Sequence, residues 1–317
     1  MLTSFLGVLP PMAQLILFMV VGWFFGRAGW LGKEFNSGLS GLLLKLTLPA
    51  LIIMSMQRDF VTEVATQSLM VLGLSFLMYS LFFGIALLAP RLWKLPQEER
   101  GVYQFVLLFS NVGFMGFPVL EAIWGREIIF WAAIYNIPFN FFVFTLGIYL
   151  MTKHLKKEKK SRWFTFINPG VVSTLLGFLM FLFSVKLPTF VGDLLSNLGG
   201  MTTPLSMILI GSLLAQSSLR GAFKNVNLWI LSGLRLLIIP SLVYLALFWV
   251  GLPNDLLGAI VMIAAMPAAA NTPLIAHEYG GHGELAGQTV LVSTLLSGLT
   301  IPLIAGLLNQ LADLKAY

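Results

Sequence analysis

The chain has 317 residues, of which 58% are hydrophobic and only 10% charged, with 19 Lys and Arg against 13 Asp and Glu. Globular domains are roughly 45–50% apolar and about 25% charged, so a water-soluble surface cannot be assembled from this composition. The absence of cysteine excludes disulfides and thiolate metal sites.

Polar residues gather in short gaps between long apolar runs. A hydrocarbon core of roughly 30 Å takes about 20 helical residues, and the runs predict ten membrane-spanning helices near 5–25, 38–56, 65–90, 102–124, 128–151, 168–186, 195–217, 227–250, 257–279 and 286–311. Met1 to Pro10 carries no basic region and no small-residue cleavage site, so it reads as the start of the first span and not as a removable signal. The net charge of +6 is distributed as the positive-inside rule requires, not as a nucleic-acid surface would be. Odd-numbered connections hold Arg27, Lys33, Arg91, Lys94, Arg100, Lys153, Lys156, Lys157, Lys159, Lys160, Arg162, Arg220 and Lys224, which is 13 of the 19 cations. That places these connections in the cytoplasm and both termini outside. The run from Lys153 to Arg162 reads either as a lipid-binding polybasic segment or as a topology anchor between two halves.

The halves repeat. Pro49 and Pro118 are 69 residues apart, as are Pro204 and Pro273. A shift of 155 lays Leu46-Thr47-Leu48-Pro49 on Met201-Thr202-Thr203-Pro204, and lays Pro118 to Gly125 on Pro273 to Gly280. With five spans in each unit, the second enters the membrane from the opposite face. The predicted fold is therefore all-α, with two inverted five-helix repeats at 1–152 and 164–317 joined by a basic cytoplasmic linker at 153–163.

Such repeats place substrate near the bilayer midplane, where interrupted helices expose backbone groups. Ser110 to Pro118, with Asn111, Gly113 and Gly116, and Met266 to Pro273, with Pro267, Asn271 and Thr272, put helix-breaking residues inside spans four and nine. Proline removes an amide donor, clashes with the preceding turn and pushes its predecessor toward extended geometry. The spans are expected to unwind at these prolines, and Pro49 and Pro204 are helix-break residues as well. Helix N-termini after the breaks would offer an anion site without a cationic side chain. In span five, Asn136 and Asn140 stand four residues apart on one helix face, as substrate contacts or as partners of neighbouring helices.

The Asn111 to Pro118 segment, the Leu46 to Pro49 block, and Tyr279-Gly280 leading into Val290 to Ser297 resemble the auxin efflux carrier family, which includes plant PIN-type carriers and bacterial malate and malonate permeases. The resemblance implies a fold like that of the bile acid sodium symporters. Spans one, two, six and seven would form a scaffold and the others a transport domain whose fourth and ninth spans cross at Pro118 and Pro273. It also implies that Asn111 and Asn271 contact a small carboxylate substrate. The short central loop is like that of bacterial members, whose place is the cytoplasmic (inner) membrane.

No cofactor is expected. Coupling to protons would use Glu121 or the pair His277 and Glu278, and sodium held by unwound backbone is the alternative. Lys45 and Arg235 lie two to three turns from the cytoplasmic end of their spans and read as snorkelling cations. A homodimer through the Gly22 to Gly26 segment is a further expectation. Two other functions compete, a membrane sensor without transport and a membrane enzyme. His277 and His282 are five residues apart, where a helical zinc-protease motif needs four, so a metal site is not expected.

Overall fold

The computed structural model describes residues 2–153, 169–216, 222–279 and 281–315. The basic linker, including Lys156 to Arg162, falls among residues 154–168, outside the described part.

The described residues are helical apart from short connections. Six helices are long and apolar enough to cross a membrane, and four shorter apolar helices accompany them. In chain order, α1 is Leu2–Arg27, α2 Lys33–Ser55, α3 Thr62–Leu92, α4 Arg100–Leu108 and α5 Val112–Trp124. Then α6 is Ile128–Tyr135 and α7 Ile137–Phe142, the latter running on through Ile148–Thr152. The second half begins with α8 at Pro169–Leu182, followed by α9 at Thr189–Gly200 and α10 at Thr202–Gln216. It continues with α11 at Val226–Phe248, α12 at Asn254–Ala265, α13 at Thr272–Tyr279 and α14 at Gly283–Lys315.

Helix α3 shows why these segments suit a bilayer. One face buries Val71, Ser75, Met78, Tyr79, Phe82 and Ala86, whereas Leu69, Leu77 and Leu88 on the other are 67%, 58% and 59% exposed. Water would penalise that second face, and lipid does not. Trp30 and Trp249, both near helix ends and widely exposed, fit the aromatic belt of a membrane–water interface.

At three prolines the helix widens and does not break. Pro49, Pro118 and Pro240 each follow a π-turn, at Leu43–Thr47, Val112–Gly116 and Leu234–Ile238. The residue before each proline donates five positions back, Leu48 to Leu43, Phe117 to Val112 and Ile239 to Leu234. The wider turn absorbs the carbonyl that proline would otherwise strike. Thus Pro49 and Pro118 sit within continuous helices, contrary to the expectation of unwinding at those residues. At Pro204 the interruption is a single turn residue, Met201, between α9 and α10.

Two groups of helices pack closely. In one, α1 lies along α10, and α2 packs against α8 and α9. Gly22 faces the backbone carbonyl of Ile208 and Gly211 faces that of Met19, each so close that a Cβ would collide with it. Small residues permit this backbone approach between membrane helices. In the other group, α3 packs on α4 and α6, and α12 packs on α6, α11 and α14.

Contacts between connections sort them onto two ends. At one end the Gln216 side chain donates to the Leu31 carbonyl and His282 lies 3.9 Å from Glu98. Lys153 belongs there too: its ammonium titrates below the ordinary lysine range through burial and through Arg91 and Arg100. At the other end Lys186 pairs with Asp59 at 2.9 Å, and Arg126 with Glu121 at 3.4 Å.

Candidate functional site

Helices α4 and α12 both stop in the interior, and the segments after them meet. Phe109 and Met266 leave their helices in extended conformation, with ψ of 120° and 147°. Ser110 and Ala268 then form an antiparallel bridge, and the Asn111 N–H donates to the Pro267 carbonyl at 2.8 Å. Within lipid such extended backbone needs partners from the protein itself. A hydroxyl from α14 supplies one more, since the Ala268 N–H donates to Ser293 Oγ at 3.2 Å.

From this crossing the chain re-enters helix twice. On one side the Val112 N–H donates to the Ser110 carbonyl at 2.9 Å, a tight turn that aims α5 away from the crossing. Asn111 caps the start of α5, its Oδ1 accepting from the Phe114 N–H at 3.4 Å. Its amide nitrogen is buried and has no hydrogen-bond partner among the described residues. On the other side Thr272, fully buried, donates its hydroxyl to the Ala269 carbonyl at 2.6 Å and opens α13. The Asn271 carbonyl accepts the Ile275 N–H at 3.0 Å, and its residue is partly exposed where Asn111 is sealed. Two helix N-termini thus start beside the crossing, each with the partial positive charge of a helix end, although the Val112, Phe114 and Thr272 N–H groups already donate to Ser110, Asn111 Oδ1 and Ala269.

Unwinding in span four lies at Phe109 to Asn111, ahead of Pro118, which occupies the second position of the helix after the π-turn. In span nine the extended segment contains Pro267, and Pro273 is the second residue of α13. A Cβ at Gly116 would make ordinary contact with Met266 Cγ at 3.5 Å, so the packing there does not require glycine. A Cβ on Gly113 would meet open space.

The other candidates are distributed differently. Asn136 ends α6, its N–H donating to the Ala132 carbonyl at 3.0 Å, and Pro138 opens α7. The two asparagines of this segment therefore lie on either side of a joint, and not on one uninterrupted face. Asn140 belongs to the backbone of α7, and His277 and Glu278 to that of α13; their side chains lie outside the described part. Glu121 sits at the far end of α5, about 15 Å from Asn111 at 1.5 Å per residue. It accepts from Arg126 Nε at 3.4 Å and from Thr203 Oγ1 at 2.7 Å, while Arg126 also donates to Ser196 Oγ at 2.7 Å. This network ties α5 to α9 and α10. No cluster of metal-binding side chains occurs among the described residues.

Lys45 is exposed on the π-turn of α2. Arg235 is not. It is 1% exposed, on the π-turn of α11, and points into the protein. Position alone allowed the lipid-water interface, but this face of α11 packs against α4, α12 and α14.

Two features of the site escaped the sequence reading. Thr289, Ser293 and Ser297, buried and four residues apart, form a hydroxyl stripe along α14; that spacing in an apolar span was the available signal. A small apolar cleft lies between α1, α10, α5 and α14, lined among others by Met12, Met19, Met115, Met207 and Ser297. It reaches Met115 on α5 but not Asn111.

Residues 8–165 and 158–305 match the membrane transport protein family. An uncharacterized transporter of Methanothermobacter thermautotrophicus is 27% identical over 302 residues, covering 94% of this chain and 98% of the relative. The uncharacterized transporter YfdV of Escherichia coli K12 is 24% identical over 315 residues, with 96% and 97% covered. A Rhizobium meliloti protein named "Putative malonate transporter" is 25% identical over 274 residues, with 83% and 84% covered. The chain belongs to the membrane transport protein family of auxin efflux carrier type.

Proposed function

We propose that this protein is a secondary active carrier of small organic anions, carboxylates above all, working by alternating access in a bacterial inner membrane. The observation that carries this reading is the crossing itself: Asn111 bound to Pro267, Ser110 bridged to Ala268, and two helix N-termini leading away from it. Fixed N–H dipoles in a low-dielectric interior favour an anion without any reorganisation. The substrate carboxylate would meet the amides of Asn111 and Asn271 and the turns holding Gly113, Thr272, Pro118 and Pro273, with Asn136 and Asn140 completing the site from span five. The name of the Rhizobium relative is consistent with such a substrate.

Ten spans arranged as two inverted repeats are the architecture this reading uses. The sorting of connections onto two ends supports it, as does the equivalent interruption of spans four and nine. In it, α1, α2, α8, α9 and α10 are the scaffold, and the remaining helices the moving domain. The basic connections face the cytoplasm and both termini lie outside. Protons are the proposed coupling ion, carried by Glu121 or by His277 and Glu278. Uptake of radiolabelled malonate, malate and succinate into proteoliposomes tests the reading. Substrate-dependent accumulation supports a carrier, and saturable binding without flux would mark a sensor.

A further inference from the structure

Arg235 presents a problem that the crossing does not solve. Among the described residues its Nε and Nη1 have no hydrogen-bond partner, and its side chain is the largest fully buried one. Among the described residues the titratable groups that face it are Tyr79 on α3 and Tyr135 on α6, and neither is a carboxylate. None of the described ion pairs includes it. Tyr79 and Tyr135 are themselves buried, their rings 6.2 Å apart, and the Tyr135 hydroxyl also lacks a partner among the described residues. A charge held this deep in a membrane protein is costly unless something of opposite sign meets it.

Placement says where that something comes from. The π-turn carrying Arg235 packs against α4, α12 and α14. The first two helices run directly into the crossing, and the third holds Ser293. A guanidinium offers planar paired donors that match a carboxylate, and a phenol hydroxyl adds a third donor.

We propose that Arg235 and Tyr135 form a buried anion site beside the crossing, which takes a carboxylate group of the transported substrate. This rests on the reading of the protein as an organic-anion carrier and narrows it. One carboxylate meets neutral donors at the crossing and a second meets Arg235, so dicarboxylates are preferred over monocarboxylates.

The test uses the full chain in detergent at constant ionic strength, titrated by calorimetry with malonate, succinate, glutarate, acetate and chloride. For the unmodified protein at least one dicarboxylate should bind tenfold or more tighter than acetate. Arg235→Gln should lose that preference, weakening the dicarboxylate ten- to hundredfold while acetate changes little. Should Arg235→Gln not fold, Arg235→Lys and Tyr135→Phe carry the test, with expected losses of about tenfold and severalfold. Unchanged dicarboxylate preference in folded Arg235→Gln, or in both milder variants, overturns the proposal and leaves the carrier reading standing. If chloride binds through Arg235 and no carboxylate binds at all, both readings fall.

Discussion

Asn111 and Pro267, 156 positions apart in the chain, are joined by a backbone hydrogen bond of 2.8 Å. That bond pairs two extended segments that lipid could not tolerate singly, and it fixes the starts of α5 and α13 relative to one another. The Ser293 hydroxyl completes the arrangement from a third helix.

Ser293→Ala leaves the Ala268 N–H buried without an acceptor, which costs about 1–3 kcal/mol. The variant should melt at a lower temperature than Ser241→Ala, whose hydroxyl lies exposed on the lipid side of α11. Equal melting temperatures in the same detergent would mean that the crossing does not depend on α14.

The α1–α10 contact makes a steric prediction. A side chain at Gly22 or Gly211 collides with a facing carbonyl that cannot move without displacing a helix. Gly211→Leu should cost at least about 1–3 kcal/mol and lower the yield of monodisperse protein. Gly287→Leu, where a Cβ meets open space, serves as the control. Size-exclusion profiles and thermal melts that do not distinguish the two would contradict the close packing.

Proton coupling is tested at Glu121. Its carboxylate joins α5 to Thr203 and Arg126, so protonation would both carry charge and loosen the link to α9 and α10. Uptake should therefore respond to a pH gradient, and Glu121→Gln should reduce that response severalfold. Accumulation driven by sodium at constant pH, unaffected when the proton gradient is collapsed, would exclude this coupling.

Topology can be read by labelling, because the chain has no cysteine of its own. A cysteine at position 157 should react only after the membrane is permeabilised, whereas one at Arg58 or Asp255 should react from outside. Labelling of position 157 in intact cells would reverse the orientation.

The sequence made the crossing legible because Pro118 and Pro273, 155 residues apart, each follow an asparagine within an apolar span. Its exact position was not legible. Proline was read as the breaking residue, yet π-turns absorb Pro49 and Pro118, and the unwinding falls at Phe109 to Asn111, where a β-bridge to Ala268 compensates the backbone. Such compensation comes from a segment far away in the chain. Arg235 was misread for a related reason. Distance along a helix gives depth in the bilayer, but not which face is packed, and the face holding Arg235 meets α4, α12 and α14. Asn136 fell at a joint for want of any local signal beyond Pro138.

The most direct measurement of the central claim is equilibrium binding of radiolabelled malonate, malate and succinate to the purified protein and to Asn111→Ala and Asn271→Ala. A hydrogen bond to a charged acceptor is worth roughly 1.5–3 kcal/mol, which corresponds to about ten- to over a hundredfold in affinity. The account predicts losses of that size in both variants, larger for the buried Asn111, with helical content and dispersity unchanged. Binding at unmodified strength in both folded variants would contradict it and move the anion site away from the crossing.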